Sequence, residues 1–131
     1  MIKTTDLLSI AKERLLDAES LYNAERYDGA VYLCGYSIEI ALKYKICITL
    51  NWQGFPSSNN EFSNFKSLRT HDLEVLLSFS GIEAQIKSNN FADWSNIAVW
   101  NPEARYNLSG KVSKTDTFLM IRSAKNIISF L

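Results

Sequence analysis

A single histidine, two cysteines and two prolines stand among 131 residues, and the five glycines form no phosphate-cradling loop. No Cys/His or carboxylate cluster falls at ligand spacing, so no metal is expected. Without a glycine-rich loop there is no local nucleotide motif, and no cofactor is implied. Cys34 and Cys47 fall in one expected helix, roughly 20 Å apart. That separation excludes a disulfide between them, and both read as small core hydrophobes of a reduced compartment. Charge of one sign is also missing, since fourteen basic residues balance fourteen acidic ones. No global field therefore draws nucleic acid or an anionic membrane. The balance is uneven: from Ala104 onward five basic residues face one acid, Asp116. The start, MIKTTDLL, lacks the basic region and apolar run of a secretory leader, so a cytoplasmic protein is expected.

What the chain does have is apolar mass: 47% hydrophobic residues and sixteen aromatics suit one packed domain, residues 1–131. Residues 30–50, AVYLCGYSIEIALKYKICITL, are its centre. Val31, Leu33, Cys34, Ile38, Ile40, Ala41, Leu42, Ile46 and Ile48 surround the helix axis instead of lining one stripe. A helix apolar nearly all round is a buried one. Its length would also cross a bilayer, but Glu39, Lys43 and Lys45 sit mid-span, where charge is costly. No membrane is expected.

Before it, Leu7, Leu8, Ala11, Leu15, Ala18 and Tyr22 recur at helical spacing, with Thr4 or Thr5 expected to cap the helix. Asp28 is expected to cap the central helix, and so short a connection implies an antiparallel hairpin. Residues 51–69 form a long loop; ten of the seventeen residues at 51–67 are Asn, Ser, Gly or Pro. Trp52, Phe55, Phe62 and Phe65 are expected to pin it to the body. A third helix at 73–79 follows Thr70-His71-Asp72, and Gly81 ends it. Residues 82–90 are a weak, polar helical stretch; Phe91, Trp94 and Ala98 resume the period until Asn101-Pro102. Leu108-Ser109-Gly110 is expected to be flexible. Thr115 or Asp116 is expected to cap a last helix with Phe118, Ile121, Ala124, Ile128 and Leu131 on one face. No stretch alternates as a strand does. The fold class is all-α, an antiparallel bundle of four to five helices.

A Tyr-x-x-Ala step (Tyr27 to Ala30) followed by Glu39-x-x-Leu42-Lys43 resembles the HEPN superfamily (higher eukaryotes and prokaryotes nucleotide-binding). His71-Asp72-Leu73, Trp100 and Arg105-Tyr106 fit the same resemblance in order and spacing. It implies a helical bundle, commonly dimeric. It also implies one of three roles: a toxin ribonuclease, the partner of a small nucleotidyltransferase or antitoxin, or a non-catalytic binding domain. Nuclease members carry Arg, four to six residues, then His, for charge stabilisation and proton transfer. Here His71 is the only histidine, Arg69 lies two positions before it, and no histidine follows Arg105 or Arg122.

Tyr32, Tyr36, Glu39 and Lys43 share one helix face. They form either a core Glu39–Lys43 pair or the polar floor of a cleft for Arg105 or a phosphate-bearing ligand. His71 either donates to a ligand or faces solvent. Arg105 and Tyr106 either contact phosphate and base or tie a loop to the bundle. Aromatics and arginine are enriched at interface centres, so a homodimer with Trp100 and Arg105 near its seam is expected. Two functions remain open. One is a non-catalytic domain acting by association, with nucleotide or RNA as a possible ligand; the other is a ribonuclease with a non-standard site. The missing motif favours the first, and no appreciable RNA cleavage is expected.

Overall fold

Helices α1 (Thr4–Asn23) and α2 (Tyr27–Leu50) form the hairpin on which the rest of the chain packs. The computed structural model of the chain describes residues 1–107 and 110–131, with the backbone alone at Ala104 and Arg105. Leu108 and Ser109, expected to be flexible, lie outside the described residues. Among those described, α-helix dominates: α3 (Leu73–Phe79), α4 (Glu83–Asn89), α5 (Phe91–Ala98) and α6 (Lys114–Ile128) complete the bundle. Two 3₁₀ turns, Lys66–Leu68 and Pro102–Tyr106, join them. The all-α architecture is as expected, with six helices instead of four or five because the stretch after Gly81 divides at Asn90.

The central helix is buried for the reason its composition gives. No residue from 27 to 47 is exposed, and Cys34, Ile38, Ala41, Leu42, Ile46 and Cys47 are fully inside. Helix α1 meets it through Leu7, Ala11, Leu15 and Ala18. The Ser37 hydroxyl, buried in this contact, donates to the Ala11 carbonyl at 2.7 Å and so stays satisfied in the core. Helix α6 closes the other side against α1, α2 and α5. Both thiols are free and buried. Burial, reinforced by the charge of Glu19, pushes the Cys34 thiol up to about 12.

Several local expectations give way to tertiary contacts. Strand β1 (Ile2–Lys3) pairs antiparallel with β2 (Gly54–Phe55), Ile2 opposite Phe55. This pairing starts α1 at Thr4, so neither threonine caps it. Instead, the Thr4 hydroxyl donates to the Trp52 carbonyl at 2.7 Å. The same pairing draws the long loop onto the hairpin, with Phe55 1% exposed and Trp52 and Phe62 packed on the core, while Phe65 stays outside. The turn into α2 comes earlier than expected, at Glu25, whose φ is 61°. Asp28 therefore lies in the first turn of α2, where its carboxylate accepts from the Gly110 amide at 2.8 Å. In α6 the cap is Ser113, not Thr115 or Asp116; its hydroxyl accepts from the Asp116 amide at 3.0 Å. Phe118, expected on the buried face of α6, is 47% exposed and leaves the inner position to Thr117 and Met120.

Candidate functional site

Glu39 is the unusual residue of α2. It is 3% exposed, and a carboxylate taken from water needs partners. It has two. The Lys43 ammonium, one turn further on, donates to Oε2 at 3.1 Å. The second is His71, whose Nδ1 lies 2.7 Å from Oε1. An ionised carboxylate only accepts, so Nδ1 carries the donated proton and Nε2 is the ring nitrogen left for other partners. The His71 side chain is 57% exposed.

His71 is carried to Glu39 by a turn built from short side chains. The Thr70 hydroxyl accepts from the Asp72 amide at 3.0 Å. The Asp72 carboxylate then caps α3, accepting from the amides of Glu74 at 2.9 Å and Val75 at 3.3 Å. Buried Leu68 and Leu73 anchor the turn on either side. Beside it runs an aromatic wall. The Tyr36 ring centroid is 6.2 Å from His71, 5.1 Å from Trp100 and 5.0 Å from Tyr32, each edge to face. Trp100 can approach because α2 has glycine at 35; a Cβ there would collide with the pyrrole atoms of the indole. Trp100 Nε1 is buried with no acceptor among the described residues.

His71 forms part of the wall of two cavities. One, of about 420 Å³, is lined by Lys43, Arg69 and His71 with Ser57, Thr70 and the apolar Ile2, Pro56, Phe62 and Leu68. The other, of about 300 Å³, lies between His71, Asp72 and the Trp100–Pro102 segment. The first gathers cations from α2 and from the chain before α3, with no carboxylate among its lining residues. Arg69 is exposed, lies 6.0 Å from the Phe62 ring centroid, and pairs with no carboxylate among the described residues.

Of the sequence candidates, Tyr36, Glu39, Lys43 and His71 come together, and Trp100 joins them through Tyr36. Trp100 itself is 7% exposed, so little of it faces outward in a single copy. Tyr106 lies in the second 3₁₀ turn and is 72% exposed. The Arg105 side chain lies outside the described residues. Sequence reasoning passed over Arg69, too near His71 for the nuclease spacing, and took Phe62 only as a loop anchor. Their one signal was position beside His71 and within an aromatic-bearing loop. The bond from Glu39 to His71 spans 32 positions and leaves no local pattern to read. Groups of three or more acidic, histidine or cysteine side chains that could hold a metal are absent among the described residues. No helix among them is long and apolar enough to cross a membrane.

The family model described as HEPN domain matches residues 4–57, so this stretch of the chain is similar to a HEPN domain. The matched part is the hairpin and the strand that follows it; His71 and Arg69 lie beyond it. Neither the curated proteins nor the solved structures compared with the chain give a match.

Proposed function

From the similarity of the hairpin to a HEPN domain, we propose that this chain is a HEPN-like domain that works by association and not by the RNA cleavage typical of nuclease members. Its partners are a second copy of itself, a small nucleotidyltransferase or an antitoxin, in a toxin–antitoxin or defence setting, with a nucleotide or RNA as ligand. One observation carries the reading: no arginine stands four to six residues before His71, the only histidine. The exposed apolar residues Val99 and Tyr106, at the end of α5 and in the second 3₁₀ turn, support an associating surface there. Sedimentation at micromolar concentration tests association, with a dimer expected and a clean monomer counting against self-association. Arg105→Ala then asks whether the seam includes that turn. Incubation with single-stranded RNA tests the chemistry, with no cleavage expected.

The Glu39–His71 pair favours a second reading. A histidine oriented by a buried carboxylate, with its other nitrogen outward, is the arrangement of a general base. RNA cleavage abolished by both His71→Ala and Glu39→Gln would make this domain a ribonuclease with a non-standard site.

A further inference from the structure

The cavity beneath Arg69 has the chemistry of an anion site with an apolar floor, and of its rim Arg69 and His71 lie beyond the HEPN match while Lys43 lies within it. We propose that this cavity binds a terminal phosphate monoester, carried by a mononucleotide or by the 5′ end of an RNA. The inference rests on the reading of the chain as a domain that holds a nucleotide or RNA.

Three donors of different kinds converge on the space. Arg69 supplies a planar fork suited to two oxygens of one phosphate. His71 offers Nε2, the nitrogen that Glu39 does not use, which donates to a phosphate oxygen when the ring carries both protons. Lys43 has three N–H donors, of which the bond to Glu39 takes one. The hydroxyls of Ser57 and Thr70 complete the polar lining. A terminal phosphate presents three oxygens to such a set, whereas an internal diester presents two, so the count of donors favours the chain end. Glu39 does not cancel the site. It is buried behind Lys43 and His71, both its oxygens are engaged, and it holds those two side chains in place. Phe62 and Pro56, with Ile2 and Leu68, form the apolar remainder of the wall, against which a ribose or base can lie. A volume of about 420 Å³ falls within the range of about 300–1,000 Å³ common to small-molecule sites.

Calorimetric titration of the whole chain at low salt tests the proposal. The probes are AMP, adenosine, and a short single-stranded RNA with either a 5′ phosphate or a 5′ hydroxyl. AMP or the phosphorylated RNA is expected to bind, with inorganic phosphate as a competitor, while the unphosphorylated twins bind about tenfold more weakly or not at all. Binding of AMP names the mononucleotide as source; binding of the phosphorylated RNA alone names the RNA end. Arg69→Gln, at an exposed position, is expected to keep the helical circular dichroism signal and lose about tenfold in affinity. Lys125→Gln, on α6, is expected to change neither. Equal affinity for each probe and its unphosphorylated twin, or an Arg69→Gln protein that binds like the wild type, overturns the proposal. Sedimentation of the same preparations separates the two readings: a dimer that ignores AMP and phosphorylated RNA loses this site but keeps association.

Discussion

In the α1–α2 hairpin, helices of 20 and 24 residues meet along continuous apolar faces. Between residues 51 and 113 the same chain folds in pieces of two to eight residues. The two regions are held by different means. The contact between the two helices is apolar, and Ser37, the one buried hydroxyl of the hairpin, donates across it to the Ala11 carbonyl. The later region depends on polar side chains reaching across. The Thr49 hydroxyl donates to the Ser80 carbonyl at 2.5 Å, and the Trp94 indole donates to Glu74 at 2.6 Å. The Asp93 carboxylate accepts from the Ser123 hydroxyl at 3.0 Å and from Asn126. Long helices earn stability from area removed from water; short ones bury too little and need specific partners. The candidate site lies on the line where the two meet, with Glu39 and Lys43 from the hairpin and Arg69 and His71 from the later region.

The sharpest way to break this contrast is at Gly35, where the regions touch through Trp100. Helix propensity alone says that Gly35→Ala should stabilise by about 1 kcal/mol. Collision with the indole says that it should destabilise by about 3 kcal/mol. Chemical denaturation reads the sign, and a gain would mean that Trp100 does not pack there. In the Gly35→Ala/Trp100→Ala double variant the cost should fall below the sum of the single ones.

Next in size is Glu39→Ala. It leaves Lys43 and His71 facing a void at the seam, an expected loss of about 2 kcal/mol, moderated because His71 reaches solvent. If the loss is below about 0.5 kcal/mol, the three side chains do not act as a unit and the seam is held by apolar packing alone.

The burial of Cys34 in the hairpin has a pH signature. An unfolded thiol ionises near 9, whereas the buried Cys34 stays protonated to about 12. Its protonated form is thus favoured by folding. That contribution is complete below about pH 9 and shrinks as pH rises through the interval, by about 1 kcal/mol at pH 10. A Cys34→Ala variant should show a flatter fall in stability over that range, and the wild-type thiol should stay unreactive toward disulfide reagents at pH 8. Rapid labelling would show the hairpin to be open.

The smallest effects belong to the later region. Trp94→Phe removes one charge-assisted bond and should cost about 1 kcal/mol. The indole, with help from Lys87, holds the Glu74 carboxyl below its ordinary value. The stabilisation is present at neutral pH and is lost as pH falls through the lowered value, so the variant should be less acid-sensitive. Lys87→Ala, at an exposed pair, should leave the denaturation midpoint nearly unchanged.

Periodicity determined the hairpin: apolar residues at helical spacing in α1, an all-round apolar α2, and a connection too short for anything but an antiparallel return. It also placed Tyr36, Glu39 and Lys43 on one face, because a helix fixes the bearing of every residue on it. The caps of α1 and α6 were misread for a physical reason: several short polar residues stood at each start. The choice among them fell to the β1–β2 pairing at one end and to Ser113 at the other. Nothing local in the sequence could bring His71 to Glu39, since 32 positions, the rest of α2 and then the long loop, separate them. A loop's path is set by what its anchors find, and Phe55, Leu68 and Leu73 found the hairpin's flank. The residues that carry chemistry were therefore legible one by one, while their meeting was decided only by the folded chain.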